Sequence, residues 1–344
     1  MHARRNETTD RHGPGDAPRD MLMRFIAGKW IAKPVYAAAA LGISDRLAAG
    51  PRTAAELAGA CGVDGGMLAR VLRALAVVGV YRAEPDGRYA LAPMGELLRE
   101  GRMRDIALMF NAPWNDEAWA RLLDGLRSGE TPFVLAHGEP LFRWLERHPD
   151  EEALLSRANA VKAAATHRVV ADACDLSGIG TLVDVGGGDG SLLAAVLERR
   201  PALGGIIAER PTIAKRARRL IDERGLAGRC AVVECDFFEA VPAGDACLLS
   251  NILHDWDDDR CESILRSCAA ALPPGGRIIL VETVVPEGEG HPLAALLDLE
   301  MLVVTGGRER AAAEYRRLLE AGGFDRVVVT PTLETVSVIE GRRR

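Results

Sequence analysis

The stretch "LLSNILHDWDDDRCESIL", residues 248–265, closes an apolar run on His254 and follows it with Asp255, Trp256, Asp257, Asp258 and Asp259. A strand that stops before a helix that starts accounts for the aspartates, because the first N–H groups of a helix are unpaired and its dipole favours negative charge. It accounts for neither His254 nor Trp256. An imidazole with an ordinary pKa of about 6.5 can take up a proton at neutral pH. Taken alone, His254 reads first as a core histidine at a strand end.

A second group of residues bears on that choice. "VDVGGGDGS", residues 183–191, has Gly186, Gly188 and Gly190 as G-x-G-x-G, with Ser191 where a dinucleotide fingerprint requires its third glycine. Glycines let the chain turn tightly and let a ligand approach the main chain. Asp184 would repel a pyrophosphate and suits a ligand carrying an ammonium group. Glu209, some twenty residues on, stands where an acid accepts hydrogen bonds from two ribose hydroxyls. Asp236 could pair with an adenine amino group, and Phe237 could cover the ring or simply pack in the core.

These residues must be positioned by a common frame. From residue 179 the pattern alternates: strands in "TLVDVGGG", "GGIIAER", "CAVVECD", "DACLLSNIL" and "GRIILVETVV", with helices in "SLLAAVLERR", "TIAKRARRLIDERG" and "RCESILRSCAAAL". Such alternation predicts a parallel sheet covered on both faces, with ligands at the carboxyl ends of its strands. Asp184 to Gly190, Glu209, Asp236, His254 and Glu282 each follow a different predicted strand and so share one rim.

Upstream, residues 105 to about 175 read as mostly helical, with Trp114, Trp119, Phe133, Phe142 and Trp144 as pocket lining or core, core being favoured residue by residue. Residues 21 to 100 read as helix, turn, helix, hairpin. "KPVYAAAALGISDRLAAG" is helical up to Gly50 and Pro51, and "TAAELAGACGV" opens on a Thr53–Glu56 capping box. "DGGMLARVLRALAVVGV" spaces Leu68, Leu72 and Leu75 on one face, and "YRAEPDGRYALA" turns at Asp86-Gly87. This is a winged-helix pattern. Its recognition-position helix offers only Arg70 and Arg73, so a DNA reader's basic stripe is missing and an interaction module is expected.

The chain has 344 residues, enough for two domains, and a net charge of −6 that calls for neither nucleic acid nor an anionic membrane. No apolar run approaches the roughly 20 residues of a membrane helix. Residues 1–20 read as a disordered tail without an apolar leader segment. Seven scattered cysteines without a C-x-x-C pair read as reduced thiols of a cytoplasmic protein, neither disulfides nor a metal site.

Together "LGISDRLAAGPRTAAELAG", "LARVLRALAVVGVY", "LVDVGGGDGSL", "HDWDDD", "LPPGGRIILVE" and "GGRERAAAEYRRLLEAGGF" resemble the plant-type and bacterial small-molecule O-methyltransferases over nearly the whole chain after residue 20. The resemblance implies a Rossmann-like α/β class I methyltransferase domain with a helical winged-helix dimerisation domain in front. The expected boundaries are 21–104 for the front domain and 105–344 for the helical acceptor segment plus the cofactor domain. It implies S-adenosylmethionine as cofactor, no metal, a homodimer, and methylation of a hydroxyl on an aromatic small molecule. C- or N-methylation on the same fold is the alternative. The family's catalytic histidine falls on His254 and its two flanking carboxylates on Glu282 and Glu309. The cofactor residues then comprise Asp184, Gly186, Gly188, Gly190, Glu209, Arg210, Asp236, Phe237, Ser250 and Trp256. The acceptor residues comprise Met109, Phe110, Trp114, Asn159, Asp255 and Met301.

Three departures stand out. Ser250 replaces a family Lys or Arg, Glu209-Arg210-Pro211 lengthens the usual aspartate, and Asn159 stands where relatives often have methionine. Two other classes compete. The glycine spacing disfavours a nicotinamide oxidoreductase, and the charge disfavours a winged-helix regulator.

Overall fold

The computed structural model describes residues 17–285, 292–332 and 336–344. The expected tail therefore lies outside the described residues up to position 16. Its last residues are helical, because α1 already begins at Ala17 (Ala17–Ile26).

By its internal contacts the chain divides into two units, residues 1–111 and 112–344. The division thus falls after Asn111 rather than after residue 104. In the first unit the alanine-rich run is two helices, α2 (Lys29–Ala40) and α3 (Ile43–Leu47), rather than one. Gly42, at φ +61°, breaks it in the left-handed region that other residues avoid. Then follow β1 (Arg52–Thr53), α4 (Ala54–Cys61), α5 (Gly65–Val77), β2 (Tyr81–Ala83), β3 (Arg88–Leu91), α6 (Pro93–Leu97) and α7 (Arg104–Phe110). The Thr53–Glu56 capping box opens α4, and Leu68, Leu72 and Leu75 are the buried face of α5. The hairpin turns through Gly87, and β1 adds a third strand in the order β1-β3-β2.

The second unit opens with five helices, α8 (Pro113–Ala120), α9 (Leu122–Ser128), α10 (Pro132–His137), α11 (Leu141–Glu146) and the long α12 (Pro149–Ala173). The alternating part then runs β4 (Thr181–Val185), α13 (Ser191–Arg199), β5 (Gly204–Glu209), α14 (Pro211–Glu223), β6 (Cys230–Glu234), β7 (Ala246–Ser250), α15 (Asp258–Ala271) and β8 (Arg277–Thr283). It closes with α16 (Pro292–Val304), α17 (Ala312–Ala321), β9 (Phe324–Pro331) and β10 (Val336–Arg343).

The seven-stranded sheet has the order β6-β5-β4-β7-β8-β10-β9. The expected all-parallel sheet needs correction at one edge. The first five strands are parallel, but β10 runs antiparallel to both β8 and β9. Two facing strands joined by a short connection must be antiparallel, because a parallel return needs a crossover. Strands β4, β7 and β8 are buried almost end to end, as expected where both faces are covered. One core packs β4, β5 and β7 against α12, α13 and α14, and another packs the opposite face against α15 and α17. The chain leaves β4 toward β5 on one side and reaches β7 on the other. The crevice beyond β4 and β7 is therefore the switch point at which such sheets bind ligands.

Candidate active site

The loop after β4 and the loop after β7 meet at that crevice. Gly186, Gly188 and Gly190 all have positive φ, at +69°, +59° and +82°. A Cβ on Gly186 would lie 2.6 Å from Ile252 Cδ1 of the facing loop, so glycine there admits the neighbouring chain as well as a ligand. Outside Gly188 nothing lies within 4 Å. Asp184 is buried beneath the loop and its Oδ2 lacks a hydrogen-bond partner among the described residues. Burial, with Glu209 and Asp189 nearby, pushes its carboxyl up to about 7. A cation drawn to that oxygen would relieve both the burial and the missing partner, which fits an ammonium-bearing ligand.

Glu209 is also nearly buried. Its Oε2 accepts from Gly188 N at 3.0 Å and its Oε1 from Arg210 N at 2.8 Å, so it braces the glycine loop from below. Burial raises its pKa against those hydrogen bonds. Asp236 is exposed and accepts from Phe238 N at 2.9 Å, which closes the turn after β6. Phe237 comes within 3.5 Å of the Cβ position of Gly186. Trp256 stands edge-on to Phe237 and Phe238 and stacks on Phe142 at 5.4 Å, while Arg210 lies over Phe142 at 5.6 Å. The cofactor candidates after three different strands therefore converge on one aromatic wall. Phe142, considered only as pocket or core, is part of it. Ser250 ends β7 and accepts from Asn251 Nδ2 at 3.4 Å.

His254 lies in a single 3-10 turn, Leu253–Asp255. Its Nδ1 is 3.2 Å from Glu282 Oε2 and 3.4 Å from Glu309 Oε1, an ion pair shared by two acids. The other oxygen of Glu282 accepts from Ile252 N at 3.0 Å and Leu253 N at 2.8 Å. One fully buried carboxylate thus fixes both the turn and the ring. Burial alone would lower the pKa of His254. Glu282, Asp255 and Glu309 outweigh it and hold the imidazole well above its ordinary range. The surrounding carboxylates therefore favour the protonated ring more than water does. The ligand atoms of His254, Glu282 and Glu309 lie within 4.8 Å of one another, close enough to share a proton or an ion.

Two features outside the expected set hold this turn. A Cβ on Gly307 would sit 2.0 Å from His254 O, so only glycine lets the segment carrying Glu309 press against the histidine backbone. Arg310 is fully buried and donates to Leu253 O at 2.8 Å, Trp256 O at 2.7 Å and Asp258 Oδ1 at 2.8 Å. The knot of aspartates is thereby divided. Asp257 caps α15 through Arg260 N, and Asp258 anchors Arg310 and Arg308.

The acceptor candidates scatter. Asp255 faces His254 Nε2 at 3.8 Å, and burial pushes its carboxyl up to about 6. Met301 is half-buried on α16. Trp114 belongs to the core, packed on Phe133 and Trp144, with its indole N–H donated to Glu151 at 2.8 Å. Asn159 is exposed on α12. Met109, buried, and Phe110, half-buried, lie in the first unit. Lys162, one turn beyond Asn159, was not anticipated. Its side chain is open to solvent, yet desolvation lowers its pKa against the pull of Asp255, Glu300 and Glu309, as in a cleft.

Sheet order, glycine loop and the acids at the carboxyl ends of β4 and β5 define a class I S-adenosylmethionine-dependent methyltransferase. Residues 119–325 match the O-methyltransferase domain and residues 23–101 the O-methyltransferase dimerisation domain; the chain belongs to this O-methyltransferase family. It is 38% identical to a phenazine O-methyltransferase of Lysobacter antibioticus, covering 97% of this chain and 99% of the relative. It is 41% identical to a 3-amino-4-hydroxybenzoate 4-O-methyltransferase of Streptomyces cremeus, covering 91% and 87%. Among solved structures, a methyltransferase of calicheamicin biosynthesis in its S-adenosylhomocysteine-bound form superposes with a TM-score of 0.82 at 36% identity, covering 98% of this chain and 100% of that one. The cofactor is S-adenosylmethionine.

The glycine loop gives a direct test of the cofactor site. Gly186→Val, which places a branched side chain at φ +69° against Ile252 and Phe237, is expected to abolish S-adenosylmethionine binding in calorimetry. Glu209→Ala is expected to weaken it by about 1–3 kcal/mol. Parent-like binding by both variants would place the cofactor elsewhere.

Proposed function

We propose that the protein transfers the methyl group of S-adenosylmethionine to a hydroxyl of an aromatic small molecule, with His254 as the general base. The observation that carries this reading is the buried Glu282–His254–Glu309 arrangement beside the glycine loop. The two carboxylates engage Nδ1, which leaves Nε2, 3.8 Å from Asp255 Oδ1, as the nitrogen for the acceptor's proton. A phenol, with a pKa of about 10, is scarcely ionised at neutral pH. Nε2 takes the hydroxyl proton as the oxygen attacks, and Glu282 and Glu309 stabilise the imidazolium that forms. The cofactor supplies a methyl carbon on a positively charged sulfur, which leaves as a neutral thioether. The chain contributes alignment and exclusion of water. The names of the relatives, which act on aromatic hydroxyl compounds, support the acceptor class. A mass-shift assay against a panel of phenols, with EDTA as a control, tests the reading. A gain of one methyl group, unaffected by chelation, is expected. Transfer to carbon or nitrogen only would overturn it.

The raised pKa sets a pH dependence. The base form of His254 exists only above its pKa, so log(kcat/KM) is expected to rise through pH values above about 6.5 before levelling. Glu282 contributes the largest upward pull, so Glu282→Gln should move that limb to lower pH while lowering the plateau. A limb that stays in place in the variant would remove Glu282 from this role. The sign for stability is the reverse. The protonated pair stabilises fully below about pH 6.5, and that contribution is lost as pH rises through the folded-state pKa.

We also propose a homodimer built on the first unit. Phe25, Ile26 and Trp30 on α1 and α2 are 72%, 64% and 67% exposed, which leaves an apolar surface that a partner copy would cover. Light scattering at micromolar concentration is expected to give twice the chain mass, and a monomer would overturn the proposal.

A further inference from the structure

Glu300, on α16, is 8% exposed, and a carboxylate so placed needs compensation. Two donors from one face of α8 supply it. Asn115 Nδ2 donates to one oxygen at 2.6 Å and Trp119 Nε1 to the other at 2.8 Å. They stand one helical turn apart, so α8 presents a clamp fitted to a carboxylate. The clamp uses one lone pair of each oxygen and leaves the others.

Asn115 is 1% exposed, and its Oδ1 has no hydrogen-bond partner among the described residues. The amide cannot be turned round to cure this, because a carboxylate only accepts and so must face Nδ2. A buried acceptor left open in this way costs about 1–3 kcal/mol unless something donates to it.

Helix α16 ties this clamp to the histidine turn, where Asp255 and Glu309 are the immediate neighbours of His254. Helix α16 also carries Asp298, whose Oδ1 accepts from Glu309 N at 2.9 Å. The hydrogen-bonding character of this wall is thus mostly of one kind. Glu300 and Asp255 accept, and with Glu309 these acids outnumber the cation near them, Lys162. A group presented to this wall is held if it donates and repelled if it is an anion.

We infer that Glu300, clamped by Asn115 and Trp119, is a specificity-determining residue that selects acceptors carrying a second, hydrogen-bond-donating substituent, amino or hydroxyl, besides the hydroxyl that is methylated. The inference rests on the O-methyl-transfer reading and adds to it the class of acceptor.

The test uses naphthols that differ only in the substituent beside the hydroxyl: 3-amino-2-naphthol, 2,3-dihydroxynaphthalene, 3-methoxy-2-naphthol and 3-hydroxy-2-naphthoate. Binding to the full-length enzyme saturated with S-adenosylhomocysteine is measured by calorimetry, and kcat/KM is measured with S-adenosylmethionine. The amino and dihydroxy compounds are expected to bind on the order of 10–100-fold more tightly than the methoxy and carboxylate compounds. Glu300→Gln keeps the shape and removes the charge, and should cut that ratio about tenfold. Trp119→Phe removes one arm of the clamp and should cut it less. Should Glu300→Gln fail to fold, as judged by Tm and S-adenosylmethionine affinity, the parent selectivity and Trp119→Phe still decide. Equal binding of all four compounds, preference for the carboxylate, or an unchanged ratio in a folded variant would overturn the inference. Selective binding without methyl transfer to any of them would instead overturn the O-methyltransferase reading and leave the donor-selective wall in place.

Discussion

His254→Ala is expected to lower kcat by about 10²–10⁴, the usual range for removing a general base, with S-adenosylmethionine affinity nearly unchanged. The separation follows from the site. His254 answers to Glu282, Glu309 and Asp255, whereas the cofactor candidates gather on the glycine loop and the Phe142–Trp256 wall. The pH profile should change shape as well as height. In the parent the rate levels once Nε2 is free of its proton. In the variant only acceptor already ionised in solution can react, so the rate should keep climbing toward the acceptor's own pKa. Full activity at neutral pH in the variant would mean that alignment alone suffices and that His254 only organises the turn.

The rim of this site was legible in the sequence because a parallel strand ends where its ligand contacts begin. Asp184, Glu209, Asp236, His254 and Glu282 could be placed together from strand ends alone. What could not be read depends on side chains meeting across long stretches of chain. Glu300 meets its Asn115 partner across 185 residues, and no local pattern marks that pairing. Lys162 lies among charged and small residues of α12 whose spacing shows no face. The aspartates after His254 looked like a helix start, and Asp257 is one, but Asp258 serves a buried arginine on another segment. Trp114 and Trp119 are alike in sequence and differ in role. One indole N–H goes to Glu151 in the aromatic core, and the other goes to Glu300. The closing antiparallel pair went unread because β9, after a long helical stretch, alternates half-buried and exposed positions, unlike the continuous apolar runs of β4, β7 and β8.

Arg310→Met is expected to cost on the order of 3 kcal/mol of stability, and to lower kcat and weaken cofactor binding together. Methionine fills much of the space of the arginine stem but donates nothing, so Leu253 O and Trp256 O would each lose a donor. Asp258 is half exposed and can turn to water, which makes the lost ion pair the smaller part of the cost. The two carbonyls flank the histidine turn on either side: Leu253 precedes His254, and Trp256 carries the aromatic wall that stacks on Phe142. One guanidinium therefore sets the base and the wall at once, and its loss should move kcat and the KM for S-adenosylmethionine in step. This distinguishes it from His254→Ala, which should move kcat alone. Asp258→Asn should be milder, since Arg310 would keep both carbonyls. Arg310→Lys should fall between, because an ammonium is a single point that cannot span three acceptors spread across the turn. Thermal melts and steady-state kinetics on the four variants would decide. An Arg310→Met enzyme that melts with the parent and loses kcat without any change in cofactor KM would show that the turn holds its shape through Glu282 and Gly307 without the arginine.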